Sequence, residues 1–456
     1  MFYPEKSILQ KILSFGLILL LLFPLLLSSS AYAAEYSYMD PFNVVIYCGK
    51  PDGYVAHAYN ANYDRNTYLS LTDLSAALNG TERQFSFSYE NTPEDGEYFQ
   101  VTENEPALSH ASASADAHTE QVWLEFRRNR LFLNDDEKKY YTYRDGFNDL
   151  YMSLTDIQLM FNMQITFAAE NCIYIYPDQV FQPDLTELER NGYFDYLNGV
   201  VLGDATTGEI FFRRDPNKVT SIASTSKLMS YLLIAEAMKS GAFRPDSPVV
   251  ISESAEKLSK SGDGMIELTA GTEIPVSELL EAMLVASSNE SALALAEYSY
   301  GSEEAFVHAM NAKAAELGLN SAQFFNCHGL PTYSLNTVQT KRQNRMNASD
   351  LFQLSAYILN YFPEITDITS KTYSVLPNLL YATANSNPLI FNMSNVNGLK
   401  TGSTNRAGYC LVASMPLSVQ GETHNILLVL LGAETASERG QEAEILLRYA
   451  ENIALH

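Results

Sequence analysis

The apolar positions of this chain change period along its length. A run from Ile12 to Leu27 is almost wholly apolar and follows Lys6 and Lys11. From residue 35 to about 180 the pattern is short and aromatic, with strand-like stretches such as Phe85 to Tyr89 and Ile173 to Tyr176. Beyond residue 198 longer helical patterns take over. Leu228 to Met238 is apolar with only scattered polar positions, which predicts a buried helix. Val276 to Ala286 and Glu290 to Tyr300 read as two helices separated by a short connector, and Ala407 to Ala413 and Ile426 to Gly432 read as strands of an antiparallel sheet. A last helix is predicted over Glu442 to Leu455. The expectation is an α/β chain in the loose, α+β sense: a small α+β domain, then a C-terminal antiparallel sheet covered by helices beside a helical cluster spanning about Lys239 to Tyr357.

Within the first domain the text repeats. Tyr68-Leu-Ser-Leu-Thr-Asp-Leu74 returns as Tyr151-Met-Ser-Leu-Thr-Asp-Ile157. Each copy predicts a strand, a cap and a short helix, with Thr72 or Asp73, and Thr155 or Asp156, as the capping residues and helix ends near Leu78 and Met163. Its Tyr and Phe residues are read as core before ligand platform. Glu105 to Gln121, small and polar without periodicity, predicts a loop, and its two histidines have no further ligands beside them. Pro177 to Tyr196, with its prolines and acids, predicts a linker. The expected boundaries are 1–33 leader, 35–180 first domain, 181–197 linker and 198–456 second domain.

Composition narrows the function classes. The formal net charge is −25 over 456 residues, which disfavours nucleic acid or anionic lipid as a partner held by charge. Lys6, Lys11, the apolar run and Ala31-Tyr-Ala33 have the layout of a cleaved secretory signal, with an uncleaved membrane anchor as the alternative. The expected location is therefore secreted or extracytoplasmic, at the cell wall or the outer face of the cytoplasmic membrane. Four cysteines in a chain this long do not make a disulfide scaffold; Cys410 reads as a buried strand residue, and Cys48 could pair with Cys172.

The candidate chemistry lies in three short words in fixed order: Ser224-Thr-Ser-Lys227, Ser287-Ser-Asn289 and Lys400-Thr401-Gly402. Spacing of i and i+3 at the head of a buried helix puts Ser224 and Lys227 on one face, so the amine reaches the hydroxyl. Burial and a second cation, with Lys400 as the candidate, would strip the amine of its proton and make it a base for the serine. The bland reading, an N-cap serine followed by a solvated lysine, suits Ser254-Ala-Glu-Lys257 better, since that segment is polar. Ser287 and Asn289 on a connector could face one cleft, or simply cap a helix. Lys400 and Thr401 offer a charge and a hydroxyl to an anion, and Gly402 would let a ligand backbone approach the strand edge. No metal site is supported: no paired Cys-x-x-Cys or His-Glu-x-x-His is present, and the neighbours Cys327 and His328 would point apart on an extended segment. No cofactor is expected.

The three words, with Asp204-Ala-Thr-Thr-Gly208, Phe306-Val-His-Ala-Met-Asn311, Phe325-Asn-Cys-His-Gly-Leu-Pro331 and Gly398-Leu-Lys-Thr-Gly-Ser-Thr404, resemble the low-molecular-mass penicillin-binding proteins that act as serine D-alanyl-D-alanine carboxypeptidases, peptidase family S11. The resemblance runs from about Asn198 to the C-terminus. It implies a penicillin-binding-protein/β-lactamase-like domain whose Ser224 attacks the penultimate D-alanine carbonyl of a peptidoglycan stem peptide ending in D-Ala-D-Ala, with Lys227 as base. Ser287, tuned by Lys400, would pass the proton to the leaving D-alanine, and Asn289 would hold a substrate peptide group. Thr401 would take the terminal carboxylate, with help from Arg439, beside Gly402; the N–H groups of Ser224 and Ser403 would form the oxyanion hole. β-Lactams would be covalent inhibitors.

Two departures stand out: Ile222 where the family usually has proline, and Glu290-Ser291 after Asn289 where it usually has Asp-Ala. The extra C-terminal domain and anchor helix of many relatives are not expected here. Two alternatives share the motif set: a penicillin-binding protein that turns over slowly and serves as a wall binder or sensor, and a class A-like β-lactamase. Glu316-Leu-Gly-Leu-Asn320 spells the lactamase loop, but it falls too soon after Asn289 and reads as a helix end with Gly318 as its C-cap. The repeat region resembles the copper amine oxidase N-terminal-like domain, an α+β module of secreted bacterial proteins whose name implies no copper site. For it the expectation is a wall- or partner-binding module, or a spacer.

Overall fold

The computed structural model describes residues 35–49, 52–61, 66–108, 122–127, 129–168, 171–333 and 341–454. The leader expected at 1–33 and the centre of the polar loop, 109–121, lie outside the described residues. The chain forms two compact units, one ending at Phe181 and one beginning at Gln182. Among the described residues no helix is long and apolar enough to cross a membrane.

Among its described residues unit 1 carries twelve strands and two helices: β1 Glu35–Tyr47, β2 Tyr54–Ala61, β3 Thr67–Ser70, α1 Leu71–Leu78, β4 Phe85–Thr92, β5 Gly96–Glu103, β6 Val122–Arg127, β7 Leu131–Leu133, β8 Asp136–Lys138, β9 Thr142–Arg144, β10 Leu150–Ser153, α2 Leu154–Phe161, β11 Gln164–Ala168 and β12 Cys172–Tyr176. β1 is long enough to serve three neighbours. It pairs with β2 from Met39 to Ile46, with β6 at its start and in parallel with β12 at its end. The pairings run β1-β2-β3-β10-β9-β6 and return to β1, so six strands close a ring with no free edge. Inside it sit Met39, Tyr59, Tyr68, Leu124, Tyr143 and Tyr151, with Tyr59 on Tyr151 and Tyr68 on Tyr143 edge to face at 4.9 and 4.7 Å. Those tyrosines are core, as their strand pattern suggests. β4, β5, β7 and β8 form a second, smaller sheet.

The sequence repeat becomes a local two-fold. β3 and β10 pair antiparallel with Tyr68 opposite Ser153, Leu69 opposite Met152 and Ser70 opposite Tyr151. Tyr68 and Tyr151 are equivalent in the repeat, as are Ser70 and Ser153, so the copies exchange partners about the Leu69–Met152 pair. The helix caps are Ser70 and Ser153, which accept from the N–H groups of Asp73 and Asp156. This corrects the expectation of Thr72 or Asp73 and Thr155 or Asp156: the strand ends one turn earlier than expected, and those residues fall inside the first helical turn. The Cys48–Cys172 pair is corrected too. Neither forms a disulfide, and β12 sets Cys172 opposite Val45, while Cys48 lies three residues further on, past the end of β1.

Unit 2 begins with α3 Leu185–Arg190, a short helix inside the segment expected as linker, followed by Phe194, which is buried against Phe212. Its sheet contains β13 Gly199–Asp204, β14 Ile210–Arg214, β15 Gly398–Thr404, β16 Gly408–Val419 and β17 Glu422–Ala433, in the order β14-β13-β17-β16-β15 with every pairing antiparallel. From Ile426 onward β17 is buried at every residue, which is why it reads as a continuous apolar run without alternation. α9 Ala348–Tyr361 and α10 Ala436–Ala454 pack on the sheet. The helical cluster contains α4 Lys227–Lys239, α5 Glu253–Ser259, α6 Val276–Leu284, α7 Asn289–Tyr300 and α8 Glu303–Glu316. α4 is buried all round from Lys227 to Ala235, as an apolar helix without a polar face must be.

Candidate active site

Ser224 lies in a single 3₁₀ turn, Ala223–Ser226, that runs directly into α4. Ala223 takes a left-handed φ of +47°, a conformation that costs a non-glycine residue roughly 1 kcal/mol and has to be held by its surroundings. The holding contacts are visible. Thr225 and Ser226 hydroxyls donate to the carbonyls of Ile222 and Ala223 at 2.6 Å, and the Ile222 N–H donates to the Asn344 carbonyl at 3.1 Å. A Cβ on Gly329, itself at φ +96°, would sit 2.1 Å from the Ala223 carbonyl oxygen, so only glycine lets the 325–330 loop press on this turn. Ser224 is the partly accessible residue among buried neighbours.

One turn on, Lys227 is fully buried and its Nζ reaches three oxygens: Ser224 Oγ at 2.9 Å, Asn289 Oδ1 at 2.8 Å and the His328 carbonyl at 2.9 Å. Burial pulls this amine down to about 7, against smaller opposing pulls from Cys327 and Glu290. Asn289 opens α7, capped by Ser288, and its Nδ2 donates to the Asp263 carbonyl at 2.9 Å, which fixes Oδ1 toward the lysine. The next residue, Glu290, is buried and accepts from the Met265 N–H at 3.1 Å and from the Ile266 N–H. Glu290 thus ties the 263–266 loop to the head of α7. Ser287 has φ +64°, is half-buried, and makes no side-chain hydrogen bond among the described residues.

β15 brings the third word. Its residue Gly402 lies against the Ser224 turn: a Cβ there would be 2.7 Å from the Ser224 nitrogen and 3.0 Å from that of Thr225. The glycine therefore lets the protein's own backbone pack closely here. Lys400 is buried, donates to the Thr401 carbonyl at 3.0 Å, and is held well below the usual lysine range by burial and by the charges of Lys227 and Arg439. Thr401 Oγ1 shares a 2.7 Å hydrogen bond with Ser386 Oγ. Ser403 is exposed and pairs with Tyr409, over whose ring the buried Arg439 guanidinium lies at 5.9 Å. The structure thus gathers Ser224, Lys227, Asn289 and Gly402 by direct contact. Ser287 and Lys400 share no hydrogen bond, and Arg439 bears on Lys400 through its field.

Sequence reasoning singled out the text of the 325–330 loop but gave it no role in the site, and it missed Ser386. Asn326 Oδ1 accepts from the N–H groups of His328 and Gly329, while Asn344 donates to the Asn326 carbonyl and accepts from the Phe325 N–H. Cys327 and His328 do not diverge: both side chains meet Glu303, whose Oε1 lies 3.3 Å from Cys327 Sγ and 3.6 Å from His328 Nε2. The loop turns sharply at Gly329, and the extended backbone assumed earlier does not form. These three side chains bring ligand-type atoms within 4.8 Å of one another. The Leu330 N–H donates to His328 Nδ1 at 3.1 Å, which puts the ring proton on Nε2, so that nitrogen turns an N–H toward Glu303 at 3.6 Å and is not presented to a cation. The decoy pair Ser254 and Lys257 is exposed on α5. Glu316 ends α8, is exposed and pairs with Lys313, and Gly318 follows at φ +72°.

A family model for D-alanyl-D-alanine carboxypeptidases matches residues 198–435, just over half of the chain. The chain belongs to this family. Among curated relatives it is 34% identical over 253 residues to the D-alanyl-D-alanine carboxypeptidase DacF of Bacillus subtilis, covering 55% of this chain and 61% of that one. It is 30% identical to DacD of Escherichia coli, covering 64% and 69%. Against the first of these the chain spans less than two thirds of the relative's length. Among solved structures, a peptidoglycan synthesis regulatory factor (PBP3) from Streptococcus pneumoniae superposes with a TM-score of 0.52 at 28% identity, covering 56% of this chain and 73% of that one. The fold is that of the penicillin-binding proteins, and the α+β expectation stands.

Proposed function

We propose that this chain is a serine D-alanyl-D-alanine carboxypeptidase that removes the terminal D-alanine of peptidoglycan stem peptides through an acyl-enzyme on Ser224. The environment of Lys227 Nζ carries the reading. Asn289 Oδ1 and the His328 carbonyl can only accept hydrogen bonds. A neutral amine therefore gives its two N–H groups to them and turns its lone pair to the Ser224 hydroxyl. With burial holding the amine at about 7, that neutral form is well populated near neutral pH.

On this reading Ser224 Oγ bonds to the carbonyl carbon of the penultimate D-alanine while its proton passes to Lys227. The C–N bond then breaks, and the proton taken up by Lys227 is passed through Ser287 to the departing D-alanine amine, with Lys400 lowering the cost of the transfer, so Lys227 is neutral again. Water attacks the ester, frees the shortened peptide and restores Ser224. The N–H groups of Ser224 and Ser403 receive the oxyanion, a preorganised pair worth a few kcal/mol in such sites, on the order of 3. Thr401, steadied by Ser386, takes the terminal carboxylate, and Arg439 adds positive field behind it. Asn289 keeps one N–H for a substrate carbonyl.

β-Lactams acylate the same serine in this proposal, and the site works outside the cytoplasmic membrane, where its substrate is. Unit 1 serves as a binding module for wall or a partner; Tyr47 and Tyr174, stacked at 5.2 Å on β1 and β12, with Tyr174 and Tyr176 exposed, support that use. The test is incubation of the purified protein with a peptide ending in D-Ala-D-Ala, beside Ser224→Ala. Release of D-alanine by the parent and none by the variant is expected. No release by the parent, or equal release by both, would overturn the reading.

A further inference from the structure

The 325–330 loop is gripped from two sides. Its inner face presents the His328 carbonyl to Lys227 Nζ at 2.9 Å and the Cys327 carbonyl to Ser230 Oγ at 2.6 Å, and Gly329 presses on Ala223. Its outer face meets a single carboxylate. Glu303, in the first turn of α8, accepts from the Cys327 N–H at 3.1 Å and from its thiol at 3.3 Å, and faces the His328 Nε2–H at 3.6 Å. The Glu303 side chain is 35% exposed while that of His328 is only 8% exposed, so the carboxylate closes the loop off from solvent.

This arrangement has a consequence for the base. Two acceptors decide which way the Lys227 lone pair points, and one is a main-chain carbonyl whose position depends on the loop. Asn326 and Asn344 fix the front of the loop, Phe325 to Gly329. The Cys327 and His328 carbonyls, which hold Ser230 and Lys227, belong to successive peptides; Glu303 supports the first of these residues from outside through the Cys327 N–H and thiol, while Asn326 takes the Gly329 N–H of the second peptide.

We propose that Glu303 is a positioning residue for catalysis: by holding Cys327 and His328 it sets the carbonyl that aims Lys227 at Ser224. The inference rests on the Ser224–Lys227 reading above and adds a residue 24 positions upstream of the loop, on a different helix and outside every motif. It requires Glu303 as a hydrogen-bond acceptor, not as a charge. Glu303→Gln keeps an acceptor oxygen and should retain function, whereas Glu303→Ala should not.

The experiment measures covalent labelling of the full chain by a fluorescent penicillin, with the limiting acylation rate separated from the concentration dependence, alongside thermal unfolding. Misplacing a catalytic group by about 1 Å costs on the order of 10- to 100-fold. Glu303→Ala is therefore expected to lower the limiting rate by about 10-fold or more with half-saturation changed less than about 2-fold, and Glu303→Gln to recover most of it. His328→Phe, which removes the Nε2–H and Nδ1 but keeps the main-chain carbonyl, should mimic Glu303→Ala and covers the case in which that variant does not fold. Parent-like acylation by Glu303→Ala or His328→Phe, or a Glu303→Gln variant as slow as Glu303→Ala, would overturn the proposal. Failure of the parent itself to label would instead sink the Ser224 reading on which it rests.

Discussion

Gly402 and Ser224 meet backbone to backbone: a methyl group on Gly402 would lie 2.7 Å from the Ser224 nitrogen, a distance no carbon and nitrogen share without something moving. The Ser224 turn is thus seated on β15. Gly402→Ala should push the turn off the strand, lowering acylation by about 10-fold or more and stability by about 1–3 kcal/mol, the usual range for overpacking. Labelling rate and denaturant unfolding of the variant check this; unchanged values for both would mean that the turn and strand are not in this contact.

Acylation should depend on pH through Lys227. Its amine is held at about 7 by burial and acts as a base only when neutral. The acylation rate is therefore expected to climb from pH 5, pass half its maximum near 7 and level off above about 8, falling roughly tenfold for each unit below 6. Stopped-flow labelling across that range is the measurement. A rate independent of pH from 5 to 9 would exclude Lys227 as the proton acceptor.

The legible parts of this molecule were the local ones. Ser224 and Lys227 lie one turn apart on an apolar helix, so their meeting follows from spacing alone. The repeat is legible as text, and its copies form the same strand-cap-helix unit. What sequence did not show depends on distant pairing. Ser70, Thr72 and Asp73 are all good cap formers, and the β3–β10 ladder decides among them by ending the strand at Ser70. The second acceptor of Lys227 is a main-chain carbonyl, which carries no residue signature. Cys327 and His328 converge because Gly329 bends the loop, and Ser386 reaches Thr401 from a separate segment. Register, not spacing, keeps Cys48 from Cys172.

Asn344 is fully buried and links both halves of the nucleophile's support. Its Oδ1 takes the Phe325 N–H at 2.7 Å, its Nδ2 gives to the Asn326 carbonyl at 2.9 Å, and its own carbonyl holds Ile222. Asn344→Ala leaves a donor and an acceptor buried without partners, at about 1–3 kcal/mol each. A loss of about 3 kcal/mol in denaturant unfolding and slower penicillin labelling are expected together. Destabilisation with a parent-like labelling rate would show that the loop does not steer the site.

Unit 1 holds a carboxylate with an inverted pH response. Asp149 is half-buried, accepts from the Ser70 and Thr72 hydroxyls at 2.5 and 2.8 Å, and forms no ion pair among the described residues. Burial pushes it up to about 7, with Asp145 adding to the rise and the hydroxyls opposing it. The folded state therefore binds a proton between about 4 and 7 that the unfolded chain has released, and the slope of stability with pH is negative in that window. Unfolding of unit 1 should become easier as pH rises from about 4 to 7, by a few kcal/mol at most, on the order of 1.4 for each unit of displacement before relaxation. Asp149→Asn, which keeps an acceptor for Thr72 and cannot ionise, should flatten that slope and stabilise the unit at pH 7. Calorimetric scans of both proteins at pH 4.5 and 7 decide the matter, and equal slopes would show that Asp149 is not the group responsible.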